Sequence, residues 1–182
     1  MNTKILTLVG GISKDSLNKK LFQALKDLAP KDFTLDTFDI SSLPFFNQDL
    51  EEDLPQSVRD LKNKIEDAHA VLFITPEYNR SVPGVLKNAI DWGSRPYGQN
   101  SWDQKPCGVL GASPGNIGSF GAQNHLRQTL TYLNMDPMPT PEMYIKAFQA
   151  FDENGKLKSD GLKDLIQKYL LAFNKWIGKN TN

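Results

Sequence analysis

The amino-acid sequence predicts an α/β fold: a three-layer sandwich with helices on both faces of a five-stranded parallel sheet. Three observations predict it. Short apolar runs alternate with amphipathic helical segments about five times, the pattern of successive βαβ units. Residues 70–75 (AVLFIT) are apolar almost without interruption, as a strand covered on both faces requires. The chain has 182 residues, enough for one domain over 1–182 with a core of its own.

The elements follow in order. Residues 4–9 (KILTLV) form a buried-type strand that ends at Gly10-Gly11. Ser16 caps a helix running to about Leu28, with Leu17, Leu21, Leu25 and Leu28 at steps of three and four. Residues 33–39 alternate Phe33, Leu35 and Thr37 with polar neighbours and read as a more exposed strand. Residues 41–53 form a loop with an acidic end, and Pro55 opens a helix to about Ala68. After the central strand at 70–75 come a helix at 85–92 and a loop at 95–104 holding Tyr97 and Trp102. A strand at 106–112 (PCGVLGA) and a helix at 121–133 follow. Residues 138–145 hold a short fifth strand interrupted by prolines. Residues 152–155 (DENG) are a turn, and 160–177 close the chain as an amphipathic helix. With right-handed crossovers, five such strands favour the flavodoxin-like order 2-1-3-4-5. Sheets of this kind bind ligands outside the carboxyl ends of their strands, near the switch point between strands 1 and 3. The loops after Val9, Thr75 and Ala112 are therefore the ones that matter.

Composition narrows the function. Lys and Arg number 21, as do Asp and Glu, so no basic field favours nucleic acid. The single cysteine, Cys107, excludes an intrachain disulfide framework, and with only His69 and His125 there are too few ligands for a His/Cys metal cluster. No metal site is expected. The apolar run at residues 5–9 is too short for a signal peptide, and no stretch approaches the ~18 apolar residues of a membrane span. The expected address is the cytoplasm, away from membranes.

Each of the three loops has binding chemistry. In residues 10–18, Gly10 and Gly11 permit a sharp turn, while Ser13, Ser16 and Asn18 offer polar groups beside a helix N-terminus. This suits one phosphate. It matches neither a Walker A loop nor the Gly-x-Gly-x-x-Gly dinucleotide pattern. In residues 75–84, Pro76 and Pro83 stiffen a polar loop whose backbone N–H groups and Tyr78 suit a flat heteroaromatic ring. In residues 113–121, three glycines and two serines point to a close backbone approach. One phosphate site beside a ring site describes a mononucleotide, and on this fold FMN is the natural candidate.

Residues 75–92 (TPEYNRSVPGVLKNAIDW) resemble the signature of the NADPH-dependent FMN reductase family, which includes bacterial chromate and quinone reductases and related azoreductases. The Ser16-x-Asn18 helix start resembles the family's phosphate loop, and residues 113–128 (SPGNIGSFGAQNHLRQ) resemble its third loop. The resemblance implies bound FMN, NADPH or NADH as co-substrate, and a homodimer or homotetramer. It implies that Ser16, Asn18 and the backbone of residues 11–17, from Gly11 through Ser13 to Leu17, hold the phosphate. Pro76, Glu77, Tyr78 and Asn79 would line the isoalloxazine ring, with Ser113, Gly115 and Gly118 on its other side. The implied reaction is ping-pong hydride transfer through FMN N5 to a quinone, chromate, an azo compound or free flavin, with no catalytic side chain required.

Two departures bear on the coenzyme. Gly11 and Ser13 stand where the family usually carries a serine and an arginine, and Ser119 and Gly121 replace a glycine and an arginine of its third loop. Only four arginines occur, Arg59, Arg80, Arg95 and Arg127, so the choice between NADPH and NADH stays open. His125 reads as structural, and Cys107 as buried and inert. Trp92 reads as helix packing. Tyr97 and Trp102 fit a flap over the ring, a subunit contact or a loop anchor. A non-enzymatic electron carrier of the flavodoxin type is the alternative reading. It would call for a docking surface of one sign, and the only local cluster is the acidic stretch at 49–53. A phosphoacceptor receiver domain would need an acidic cluster after strand 1, where Gly10-Gly11 stand.

Overall fold

In a computed structural model, which describes residues 2–147 and 150–180, the sheet and its helices alternate as the sequence predicts. Strand β1 (Thr3–Val9) leads through the first loop to α1 (Leu17–Leu28), then to the edge strand β2 (Phe33–Thr37). Helix α2 (Gln56–Asp67), central strand β3 (Ala70–Ile74), α3 (Gly84–Gly93), β4 (Pro106–Ser113) and α4 (Phe120–Tyr132) follow. Short strands β5 (Asp136–Pro137) and β6 (Tyr144–Lys146) precede the long α5 (Asp160–Asn180). The order is β2-β1-β3-β4-β5, all parallel, with β6 also on β4. This is the flavodoxin-like order expected.

Two apolar layers follow from the alternation of side chains along the strands. Ile5, Leu72, Leu110 and Ala112 face α1 and α5, where Leu21, Leu25, Ile166 and Phe173 cover them. Leu6, Leu8, Val71, Phe73 and Val109 face α2, α3 and α4, meeting Leu61, Ile65, Leu86, Ile90 and Leu126. Strands β3 and β4 are buried along their whole length. Within α1, Leu21 and Leu25 are buried while Leu17 and Leu28 sit at its margins.

Local boundaries differ where side chains bond their own backbone. Strand β2 stops at Thr37, because Asp39 turns to cap a 3₁₀ turn at Ile40–Ser42 through the Ser41 N–H. A second such turn, Gln48–Leu50, lies in the acidic loop under Asn47. The fifth strand divides. β5 pairs with the start of β4 at Pro106 and Cys107, and β6 pairs with its end at residues 111–113. Between them Pro139 and Pro141, like Pro137 at the end of β5, carry no N–H to extend the ladder. The turn at 152–155 is closed by Asp152, whose carboxylate accepts the N–H groups of Asn154 and Lys156.

The loop after α3 divides the two aromatics singled out in it. Trp102 is fully buried, donates its indole N–H to the Ile90 carbonyl at 2.9 Å and lies against Gly93. A Cβ at Gly93 would stand 2.4 Å from that ring. Trp102 is therefore the anchor of this loop and no flap, whereas Tyr97 is 88 % exposed. Lys62 reinforces the anchor by donating to the Gln99 carbonyl at 2.7 Å, and Ser101 donates to Glu66 at 2.7 Å. Trp92 packs α3 as expected, with its indole N–H on the Pro44 carbonyl. Cys107 is buried, and desolvation pushes its thiol well above the ordinary range. No helix among the described residues is long and apolar enough to cross a membrane. No group of three metal-ligating side chains is found among them either.

Candidate functional site

Parallel strands deliver three loops to one end of the sheet. The first turns between β1 and α1. Gly10 still donates to the Ile74 carbonyl at 2.8 Å, extending the β1–β3 pairing by one residue. Ser16 then caps α1, its hydroxyl oxygen accepting the N–H groups of Asn18 at 3.2 Å and Lys19 at 3.4 Å. Because the hydroxyl accepts both bonds, its own proton is left to donate. Gly11 faces it: a Cβ there would stand 2.2 Å from Ser16 Oγ. The N–H groups of Gly11, Ile12, Ser13 and Leu17 have no partner among the described residues. No acidic residue stands in the first turn of α1. Free N–H groups, a free hydroxyl proton and the positive end of a helix dipole form a cradle for one dianion, kept open because residue 11 has no side chain. The fit to a phosphate is good.

Asn18, from the same helix start, ties this loop to the third one. Its side-chain amide donates to the Ala112 carbonyl at 2.9 Å and accepts the Ala112 N–H at 3.0 Å. One N–H and the carbonyl of the amide are engaged by the end of β4, and the residue is buried. Asn18 thus acts as one more rung of the sheet, fixing the first loop against the third.

In the second loop, Tyr78 and Ser81 exchange both backbone hydrogen bonds, at 3.1 and 3.0 Å, around Asn79 and Arg80. Those two residues have φ of 50° and 66°, the left-handed pair that a two-residue hairpin needs. Glu77 sits at the base of this hairpin with its carboxylate nearly covered. One oxygen accepts the Ala122 N–H at 3.1 Å and the other pairs with Arg80 at 3.3 Å. The carboxylate therefore lies at the positive end of α4, and only the Glu77 backbone remains for a ligand. This contact also explains Gly121, where a Cβ would press on the Arg80 carbonyl at 3.0 Å and on Glu77 at 3.1 Å. His125 meets the Ser81 hydroxyl at 3.1 Å, a structural role on α4 as expected. Tyr78 is half-exposed beside the loop.

The third loop leaves β4 at Ser113, which is buried, and passes Gly115, where a Cβ would meet only Ser113 Oγ, at 3.6 Å. Gly118 turns inward: with φ of 54°, its α-carbon packs on the backbone of Tyr144, where a Cβ would come within 2.6 Å. It supports the loop from beneath. The buried Gln123 completes the support by donating to Ser119 Oγ at 3.0 Å and to the Met143 carbonyl at 2.9 Å. Sequence reasoning missed Gln123, Ala112 and Ala122 as partners: Ala112 and Ala122 act through backbone groups, and the Gln123 amide reaches a carbonyl on another segment, that of Met143. A cleft of about 480 Å³ at the opposite end of the sheet is unrelated to these loops and is crossed by the ion pairs Lys4–Asp67 and Lys64–Asp36.

Comparison with known proteins identifies the family and supports the fold. A family model described as NADPH-dependent FMN reductase matches residues 3–150. A 2-hydroxy-1,4-benzoquinone reductase from a Burkholderia species is 46 % identical over 178 residues, covering 97 % of each chain. An NAD(P)H-dependent FMN reductase of Pseudomonas aeruginosa is 42 % identical, over 96 % of this chain and 95 % of the relative. Among solved structures, the flavoenzyme NAD(P)H:(acceptor) oxidoreductase FerB from Paracoccus denitrificans superposes with a TM-score of 0.93 at 44 % identity, covering 98 % of both chains.

Proposed function

Because this chain belongs to the NADPH-dependent FMN reductase family, we propose that FMN lies across its three carboxyl-end loops and that quinones are the acceptors it reduces. The protein is an NAD(P)H-dependent oxidoreductase with FMN as its cofactor. The observation that carries the site assignment is the open cradle at Gly11 and Ser16, with unpartnered N–H groups around it.

The chain's own residues divide the work. The Ser16 hydroxyl and the N–H groups of Gly11, Ser13 and Leu17 hold the FMN phosphate. Asn18 positions that loop from Ala112. The backbone of Pro76, Glu77, Tyr78 and Asn79 lines the ring, held at a fixed height by the Glu77 carboxylate on α4. Ser113 and Gly115 stand on the other side, with Gly118 bracing them from β6. Bound FMN would supply two-electron hydride chemistry at N5, by which NAD(P)H and a solvent proton together would reduce a quinone to the hydroquinone. Donor and acceptor occupy one face in turn, which gives ping-pong kinetics. Chromate, azo compounds and free flavin qualify as acceptors on the same terms.

Arg80 is the arginine carried by these loops, and its guanidinium leans on Glu77. No dedicated arginine thus awaits the 2′-phosphate that distinguishes NADPH from NADH, and both coenzymes are expected to serve at similar rates. One FMN domain over residues 1–182, assembled as a homodimer or homotetramer in the cytoplasm, completes the reading.

The test is direct. The purified protein should be yellow, with one FMN per chain and a band near ~450 nm that NAD(P)H bleaches and a quinone restores. Initial rates against both substrates should give parallel reciprocal plots. Colourless protein that takes up no FMN on titration would sink the proposal.

A further inference from the structure

The rim of the third loop carries apolar surface that neither phosphate nor ring binding uses. Ile117 is 48 % exposed and Phe120 is 49 % exposed. The Phe120 ring stands 5.2 Å from that of Tyr144, tilted by 59°, and the Tyr144 hydroxyl is buried so that the ring is what the surface presents. With Asn116 these three side chains line an open cavity of about 430 Å³ that contains no charged group. Tyr144 also borders a second cavity of about 360 Å³ along β6, where Ala150, Leu162 and the half-exposed Leu165 of α5 stand beside the charged Glu142 and Lys146. Apolar surface therefore starts beside the third loop and reappears beyond Tyr144 at α5.

We propose that Ile117, Phe120 and Tyr144 form a shelf for the lipophilic side chain of a quinone, an isoprenoid or alkyl tail carried by the ring that is reduced. The proposal rests on the quinone-reducing reading above and names the kind of quinone. The reacting ring must meet the flavin at the second and third loops, so a substituent on it projects over the rim. The nicotinamide coenzyme does not suit the shelf, because the ribose and pyrophosphate next to nicotinamide need donors and cations. Chromate, an anion, gains nothing from it. An uncharged chain that leaves water gains in proportion to the apolar area it covers.

The holoenzyme tests this with one benzoquinone ring bearing no tail, a four-carbon tail and a ten-carbon tail, at saturating NADH. A fully buried methylene is worth roughly fourfold in binding, and a half-open shelf should give about twofold in kcat/KM for each of the first few carbons. The double variant Ile117→Ser/Phe120→Ser should lose this rise while keeping its FMN content and its rate with the untailed ring. Ile117→Ser alone, at an exposed loop position, should halve the slope on a logarithmic scale and guards against misfolding of the double variant. A tail-independent kcat/KM in the native protein, or an unaltered slope in the variants, overturns the proposal. So does a fall in molar mass of the variants in sedimentation with the slope retained, since the shelf would then be covered by a second copy. No reduction even of the untailed ring would instead overturn the quinone-reducing reading, and the shelf with it.

Discussion

At Gly11 and Asn18, two residues seven positions apart, the site depends on opposite properties. Gly11 matters for what it lacks. Gly11→Ala would put a methyl group against Ser16 Oγ, displacing the hydroxyl from the cradle. FMN affinity should fall at least about tenfold, or about 1.4 kcal/mol, in a fluorescence titration, with little change in thermal stability. Asn18 matters for what it holds. Asn18→Ala strands a buried N–H and a buried carbonyl of Ala112 and should cost about 2–4 kcal/mol in denaturant unfolding. Its effect on FMN should follow from a loosened loop. The sequence made Ser16 legible, since a cap bonds N–H groups two and three residues away. It did not show the tie from Asn18 to Ala112, because a partner 94 residues distant leaves no local mark. The role of the Glu77 carboxylate at the start of α4, 45 residues on, left no local mark for the same reason.

Elements were more legible than their joints. Periodicity placed every helix to within a few residues, and the apolar runs placed β1, β3 and β4. What periodicity lacks is the tie between one element and the next. The second loop is stiffened less by its prolines than by a left-handed hairpin bound to α4 through Glu77. Glu77→Ala should therefore cost about 1–2 kcal/mol, as loss of a helix N-terminal acceptor does, and weaken FMN binding as the hairpin drifts. Glu77→Gln keeps an acceptor for the Ala122 N–H and should retain most of both. Comparing the two variants by calorimetry and FMN titration separates the hydrogen bond from the charge. Trp102 teaches a similar lesson: an aromatic in a polar loop looked free to cover a ligand, but the missing side chain of Gly93 opened a slot for it in the core.

Over the whole molecule, burial at the centre of the sheet shapes the response to base. The Cys107 thiol and the Tyr169 phenol are held far above their ordinary values, 9.0 and 10.0, by desolvation first of all. Above pH 9 the unfolded chain loses the thiol proton while the folded chain keeps it. The unfolded state then binds fewer protons, so this group's contribution falls as pH rises, by up to about 1.4 kcal/mol per pH unit. Lys62 and Lys105, lowered by burial, act in the opposite sense up to their ordinary 10.5. The clean measurement is therefore a difference: urea unfolding of native protein and Cys107→Ala at pH 8, 9 and 10 should show the gap between them narrowing or reversing above pH 9. The divided fifth strand has a consequence at the same scale. A sheet normally ends in a row of unanswered amides that can recruit a strand from another molecule. Here that margin is two residues of β5, a proline-filled gap and three residues of β6. An incoming strand would find no unbroken ladder to join, so this side of the protein resists fibril-like growth even at high concentration.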